Sequence, residues 1–131
     1  MTEGFLKIYL LTLIPFTGLD GIWLGIVAPK FYRSQIGFLL RDKPNWSAAV
    51  LFYLIFIAGM VFFVTGKEVS VRQAALGGAI FGFMCYATYD LTNLATVKGW
   101  PVLVTVVDLC WGTILGGSTA AIAVWLKGII R

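Results

Sequence analysis

The sequence predicts an all-α integral membrane protein: a four-transmembrane-helix bundle with a short interfacial amphipathic helix between spans one and two. Three observations carry that prediction. Apolar residues make up 60% of the chain and charged residues only 12%, with a mean hydropathy of +0.91; soluble domains run near ~25% charged. The apolar residues fall in four runs separated by short turns, each run near the ~20 residues that a bilayer crossing requires. Most of the charges lie between the runs, where lysine and arginine anchor helix ends at a membrane surface.

The first span covers residues 5–28. It is not read as a cleaved signal, because the apolar run carries Asp20 and continues past it. Pro15 lies inside it and removes one helix hydrogen bond. Residues 29–44 follow, with Tyr32, Ile36, Leu39 and Leu40 on one helical face and Lys30, Arg33, Ser34, Gly37 and Arg41 on the other. That pattern suits a helix lying in the interface, basic face toward the headgroups. The second span, residues 46–65, is aromatic and uncharged. The third, residues 73–97, and the fourth, residues 101–127, are joined by a tight turn, Lys98-Gly99-Trp100-Pro101, with Pro101 suited to a helix first turn. Trp46, Trp100 and Trp125 lie at span ends, as in an aromatic belt. The whole chain, residues 1–131, reads as one transmembrane domain with both termini on the same side.

Orientation is undecided by charge. Lys7, Lys67, Arg72, Lys127 and Arg131 fall on the terminal side, balanced by Lys30, Arg33, Arg41, Lys43 and Lys98 on the other. The net charge of +4 is spread over span ends and forms no basic stripe, so nucleic acid is excluded as a partner. Histidine is absent, and Cys85 and Cys110 both lie in apolar runs. No metal site and no cofactor are expected, and the cysteines read as buried free thiols.

The chemistry concentrates in three aspartates placed inside spans, because a carboxylate in hydrocarbon is costly and must face a protein interior or a cavity. Asp20 lies eight residues before the end of span one, Asp90 seven before the end of span three, and Asp108 seven after the start of span four. At about 1.5 Å per residue, all three sit roughly 10–12 Å below one membrane face. Tyr86 and Asn93 share the helical face of Asp90, and Tyr89 precedes it. In DGIW and DLCW, Trp23 and Trp111 follow Asp20 and Asp108 by one helical turn. Gly21 with Gly25, Gly78 with Gly82, and Gly112 with Gly116 repeat a spacing that lets helix backbones approach closely, so spans one, three and four should meet and span two should lie at the periphery.

DGIW, FYRSQIG, YATYDLTNLATVKGWP and VVDLCWGT together resemble a family of small bacterial four-span membrane proteins known as a domain of unknown function. The likeness covers nearly the whole chain. It implies four helices in the bacterial inner (cytoplasmic) membrane and supplies no activity. It also implies gene neighbours that modify fatty-acyl groups or answer photo-oxidative stress, which points toward lipid chemistry.

The expected function is an intramembrane polar pocket for a lipid, acyl or isoprenoid amphiphile, accessory to lipid modification. Asp20, Asp90, Asn93 and Asp108 would form its floor, and Trp23, Trp111, Tyr86 and Tyr89 its walls. A small proton-coupled transporter of lipophilic cations is the first alternative, although no glutamate lies within a span. An intramembrane lipid-modifying enzyme, or a structural subunit of a larger complex, is the second. Membrane lipid or a lipophilic small molecule is the expected partner, with a homodimer as a further candidate.

Overall fold

The computed structural model describes residues 2–130; Met1 and Arg131, the latter counted in the charge balance above, lie outside it. Helices α1 (Thr2–Ile22), α2 (Ala28–Ile36), α3 (Trp46–Met60), α4 (Val71–Thr96) and α5 (Val102–Ile130) account for most of the described residues, which contain no strand. Two π-helical turns, Trp23–Val27 and Val61–Thr65, extend α1 and α3, and a 3₁₀ turn, Gly37–Leu39, ends α2.

The helix boundaries follow from local chemistry. Asn45 caps α3 by accepting from the Ala48 N–H at 3.2 Å. Ser70 and Gln73 form a reciprocal capping box at the start of α4, with bonds of 3.1 and 2.9 Å. Gly99, at φ +81°, supplies the left-handed residue that reverses the chain between α4 and α5. The first π turn precedes Pro29, which has no N–H to offer the carbonyl four residues back. The chain widens there, and the Ala28 N–H reaches the Trp23 carbonyl instead.

Residues Gly4–Leu39, Trp46–Thr65 and Val102–Ile130 are each long and apolar enough to cross a membrane. Helix α4 is 26 residues long, roughly 39 Å at about 1.5 Å per residue, but is not among those three. Arg72, Gln73, Asp90, Asn93 and its glycines dilute its apolar character. The segment beginning at Lys30 continues helix α1 through the π turn, with Lys30, Arg33 and Ser34 exposed and Ile36 buried against Trp100 and Val104.

Helices α4 and α5 make the tightest pair. A Cβ placed on Gly78 or Gly82 would run into the backbone of Gly116 or Gly112, and one on Gly116 would meet Gly78 in return. Gly21 and Gly25 behave differently: a Cβ there would meet nothing, so this pair faces away from the bundle. Helix α1 packs through Ile8, Thr12, Phe16 and Asp20, a face set by its i, i+4 spacing, and a rotation of that face leaves both glycines outside. Helix α3 is peripheral over its first half, where Trp46, Leu51 and Ile55 are exposed, and enters the core through Phe56, Ile57 and Met60, followed by Val64 of the π turn.

Many large apolar side chains point outward, including Leu6, Ile14, Ile26, Ile55, Phe62, Leu76, Ile80, Val106 and Ile114. Water would not tolerate a patch of this extent, and hydrocarbon would. Trp46 and Trp125 lie on that outer surface, as a belt requires. Trp100 does not: it folds inward over Val104, with its Nε1–H donating to Thr105 Oγ1 at 3.2 Å. At the terminal end of the bundle, Thr12 and Thr65 hydroxyls pair at 3.0 Å. Lys127 closes α3 there, its ammonium donating to the Thr65 and Lys67 carbonyls.

Candidate functional site: an aromatic cavity over buried carboxylates

The three aspartates are buried in the bundle, Asp90 completely and Asp20 and Asp108 to 4% exposure. Their helices bring them in from different directions. Asp20 ends the last regular turns of α1, Asp90 comes from the C-terminal third of α4, and Asp108 from the second turn of α5.

Asp90 and Asp108 lie against one another across the α4–α5 contact. Among the described residues, no N–H or O–H donor reaches either oxygen of Asp90. Both groups are acceptors when ionised, so their contact is a hydrogen bond only while one of them carries a proton. Asp108 also accepts from the Tyr32 hydroxyl on α2. Asp20 accepts from Trp111 Nε1–H at 3.2 Å, and the Tyr53 hydroxyl of α3 is directed at it as well. The donors are thus indole and phenol groups, and among the described residues no lysine or arginine is hydrogen-bonded to any of the three carboxylates.

The two tryptophans that follow the aspartates cross over. Trp23 and Trp111 stack with centroids 4.6 Å apart and planes 9° from parallel, so each indole spans the gap between α1 and α5. Trp23 also meets Tyr32 edge-on, at 6.5 Å and 75°. Trp111 therefore serves the aspartate of the other helix, not its own.

Beside these groups lies a cavity of about 450 Å³. Asp20, Trp23, Tyr86, Tyr89 and Asp108 line it, joined by Tyr32, Tyr53, Phe52, Trp100 and Cys85, with Leu24, Ile36, Leu40 and Ala49 completing the wall. Three residues predicted for the site sit behind that wall. Asp90 backs Asp108, Trp111 backs Trp23 and Asp20, and Asn93 lies next to the Tyr89 hydroxyl, one turn further along α4. Tyr32 and Tyr53 are the carboxylate partners that sequence reasoning missed. Tyr32 looks like part of an interfacial apolar face and Tyr53 like one aromatic among several, and nothing in their spacing marks a carboxylate partner. Among the described residues, no group of three or more His, Cys, Asp or Glu side chains is arranged to hold a metal ion.

An all-helical chain with an apolar outer surface, three candidate spans and carboxylates turned inward is a polytopic membrane protein. The family comparison gives the same class: residues 5–125 match the family DUF2177, described as a predicted membrane protein, and the chain belongs to it. No curated protein and no solved structure matches the chain.

Proposed function

We propose that the protein is a four-span protein of the bacterial inner membrane whose cavity binds a lipophilic amphiphile. Helix α4 is the third of the four spans in this reading, and residues 29–44 lie at the membrane surface with Lys30 and Arg33 toward the headgroups. The length of α4 and its glycine contact with α5 support the first point, and the exposure of Lys30 and Arg33 supports the second. One observation carries the functional reading: a cavity of about 450 Å³ joins apolar walls to a polar floor made by Asp20 and Asp108. A site of this kind holds the long body of a ligand by apolar contact and fixes its end by a few polar groups. Trp23 stacks on Trp111, whose indole N–H holds Asp20 in that floor.

A second reading, proton-coupled transport, draws on Asp90. Its buried carboxyl has no donor of its own and rests against the cavity-lining Asp108, which is the arrangement that a proton relay uses. A second copy of the chain would be the natural partner for transport by a protein of 131 residues.

The test is mass spectrometry of small molecules co-purifying with the wild type and with Asp108→Asn. A discrete amphiphile held by the wild type and lost from the variant is the expected result. The same bulk membrane lipid in both preparations would overturn the binding reading.

A further inference from the structure

The chemistry of the cavity specifies the charge of its ligand. We propose that it selects an ammonium headgroup: the amine or quaternary-ammonium end of a single-chain amphiphile sits over Asp20 and Asp108, and a carboxylate or phosphate end is rejected. This inference rests on the binding reading above and adds the substrate class.

Charge is the first argument. Two of the fourteen lining residues are aspartates, and none is lysine or arginine. The groups that hold those aspartates, the Tyr32 hydroxyl and the Trp111 indole, are neutral donors. They orient the carboxyl groups and bring no positive charge, so a cation entering the cavity meets acceptors that no other cation occupies. An anionic head would meet the same acceptors. It would also find the Tyr32 and Trp111 donors already directed at the carboxylates.

The walls are the second argument. Seven of the fourteen lining residues are aromatic. Ring faces carry negative potential, and several rings around one space form the cage that proteins use for quaternary ammonium. Trp23, Tyr53, Tyr86 and Tyr89 come from three different helices and line the same space as the two aspartates. Leu24, Leu40 and Ala49 supply the apolar surface for a chain.

A second cavity makes a contrast. It measures about 530 Å³ and is lined by Lys7, Lys127 and Glu68, together with apolar residues of α1 and of the π turn that follows α3. Of the two cavities, basic side chains thus line the one at the terminal end. The carboxylate cavity has none.

The test uses matched amphiphiles. Hexadecyltrimethylammonium, hexadecanol and hexadecyl phosphate share one chain and differ in head charge. Each is titrated into the protein in dodecyl maltoside, which carries no charge, and bound molecules are counted by native mass spectrometry. Hexadecyltrimethylammonium is expected to bind at one site at least tenfold more tightly than the other two. Ala49→Trp, which fills the cavity without touching a charge, should abolish that site. Competition by lysophosphatidylcholine would support a lipid headgroup as the source of the ammonium, and competition by dodecylamine alone would support a free lipophilic amine. Equal or tighter binding of the phosphate or the alcohol, still lost in Ala49→Trp, would overturn the ammonium selection and leave the cavity intact as a binding site. Binding of all three that ignores Ala49→Trp would overturn the cavity reading itself.

Discussion

Trp23 and Trp111 stack face to face across the α1–α5 boundary, 4.6 Å between centroids, while the Trp111 indole N–H holds Asp20 at 3.2 Å. One pair of rings thus joins two helices and positions a buried carboxylate. Trp111→Phe keeps a ring for the stack and deletes the donor. It is expected to destabilise the protein by about 1–3 kcal/mol, the usual cost of leaving a buried polar group short of a partner. Chemical denaturation in detergent, followed by fluorescence of the remaining tryptophans, reads this directly. No loss of stability would show that Asp20 is satisfied without the indole.

Asp90 should respond in the opposite direction. Both of its oxygens are buried without a donor, and Asp108 stands beside it as an acceptor. Asp90→Asn brings two N–H donors to that contact and removes one carboxyl. A gain of about 1 kcal/mol is expected at a pH where neither carboxyl carries a proton, the typical net worth of one buried hydrogen bond. A marked loss in a thermal-shift assay would mean that Asp90 makes an interaction that asparagine cannot replace.

The glycines separate into two sets with different expected costs. Gly82→Val or Gly112→Val drives a side chain into the facing helix, and should cost about 1–3 kcal/mol or more from overpacking. Gly25→Ala enters open space and should stay within about 0.5 kcal/mol. Resistance of the purified variants to unfolding by dodecyl sulfate ranks them. Equal sensitivity at Gly25 and Gly82 would contradict the packing described for α1.

Cys85 lines the carboxylate cavity, whereas Cys110 is exposed on the outer surface. In a Cys110→Ser background, bound amphiphile should slow modification of Cys85 by N-ethylmaleimide several-fold. In the converse Cys85→Ser background, the rate at Cys110 should not change. Equal protection of both thiols would point to a general detergent effect and away from occupancy of the cavity.

The sequence makes some of these relationships visible and hides others for physical reasons. That Asp20, Asp90 and Asp108 all come near Tyr86 follows from counting residues to helix ends, because helical rise is constant. Rotation about the helix axis is less accessible to counting. The π turn at Trp23–Val27 inserts an extra residue, which turns everything after it by about 100° relative to an unbroken α-helix. Tyr32 lies beyond that insertion, and its approach to Asp108 cannot be derived from the spacing of its neighbours. Gly21 and Gly25 illustrate the complementary error: small residues permit close approach but do not require it. Trp100 reads as an interfacial anchor until the left-handed Gly99 turns it inward.

The glycine contact between α4 and α5 has a consequence for how the protein is made. Helix α4 is the least apolar of the long helices, and its closest neighbour is synthesised immediately after it, across a five-residue turn. In the four-span arrangement, it should enter the bilayer as one arm of a hairpin, its polar residues shielded by α5 on arrival. A chain halted before Val102 should therefore leave α4 outside the membrane, open to protease and reporter enzymes that the complete hairpin excludes.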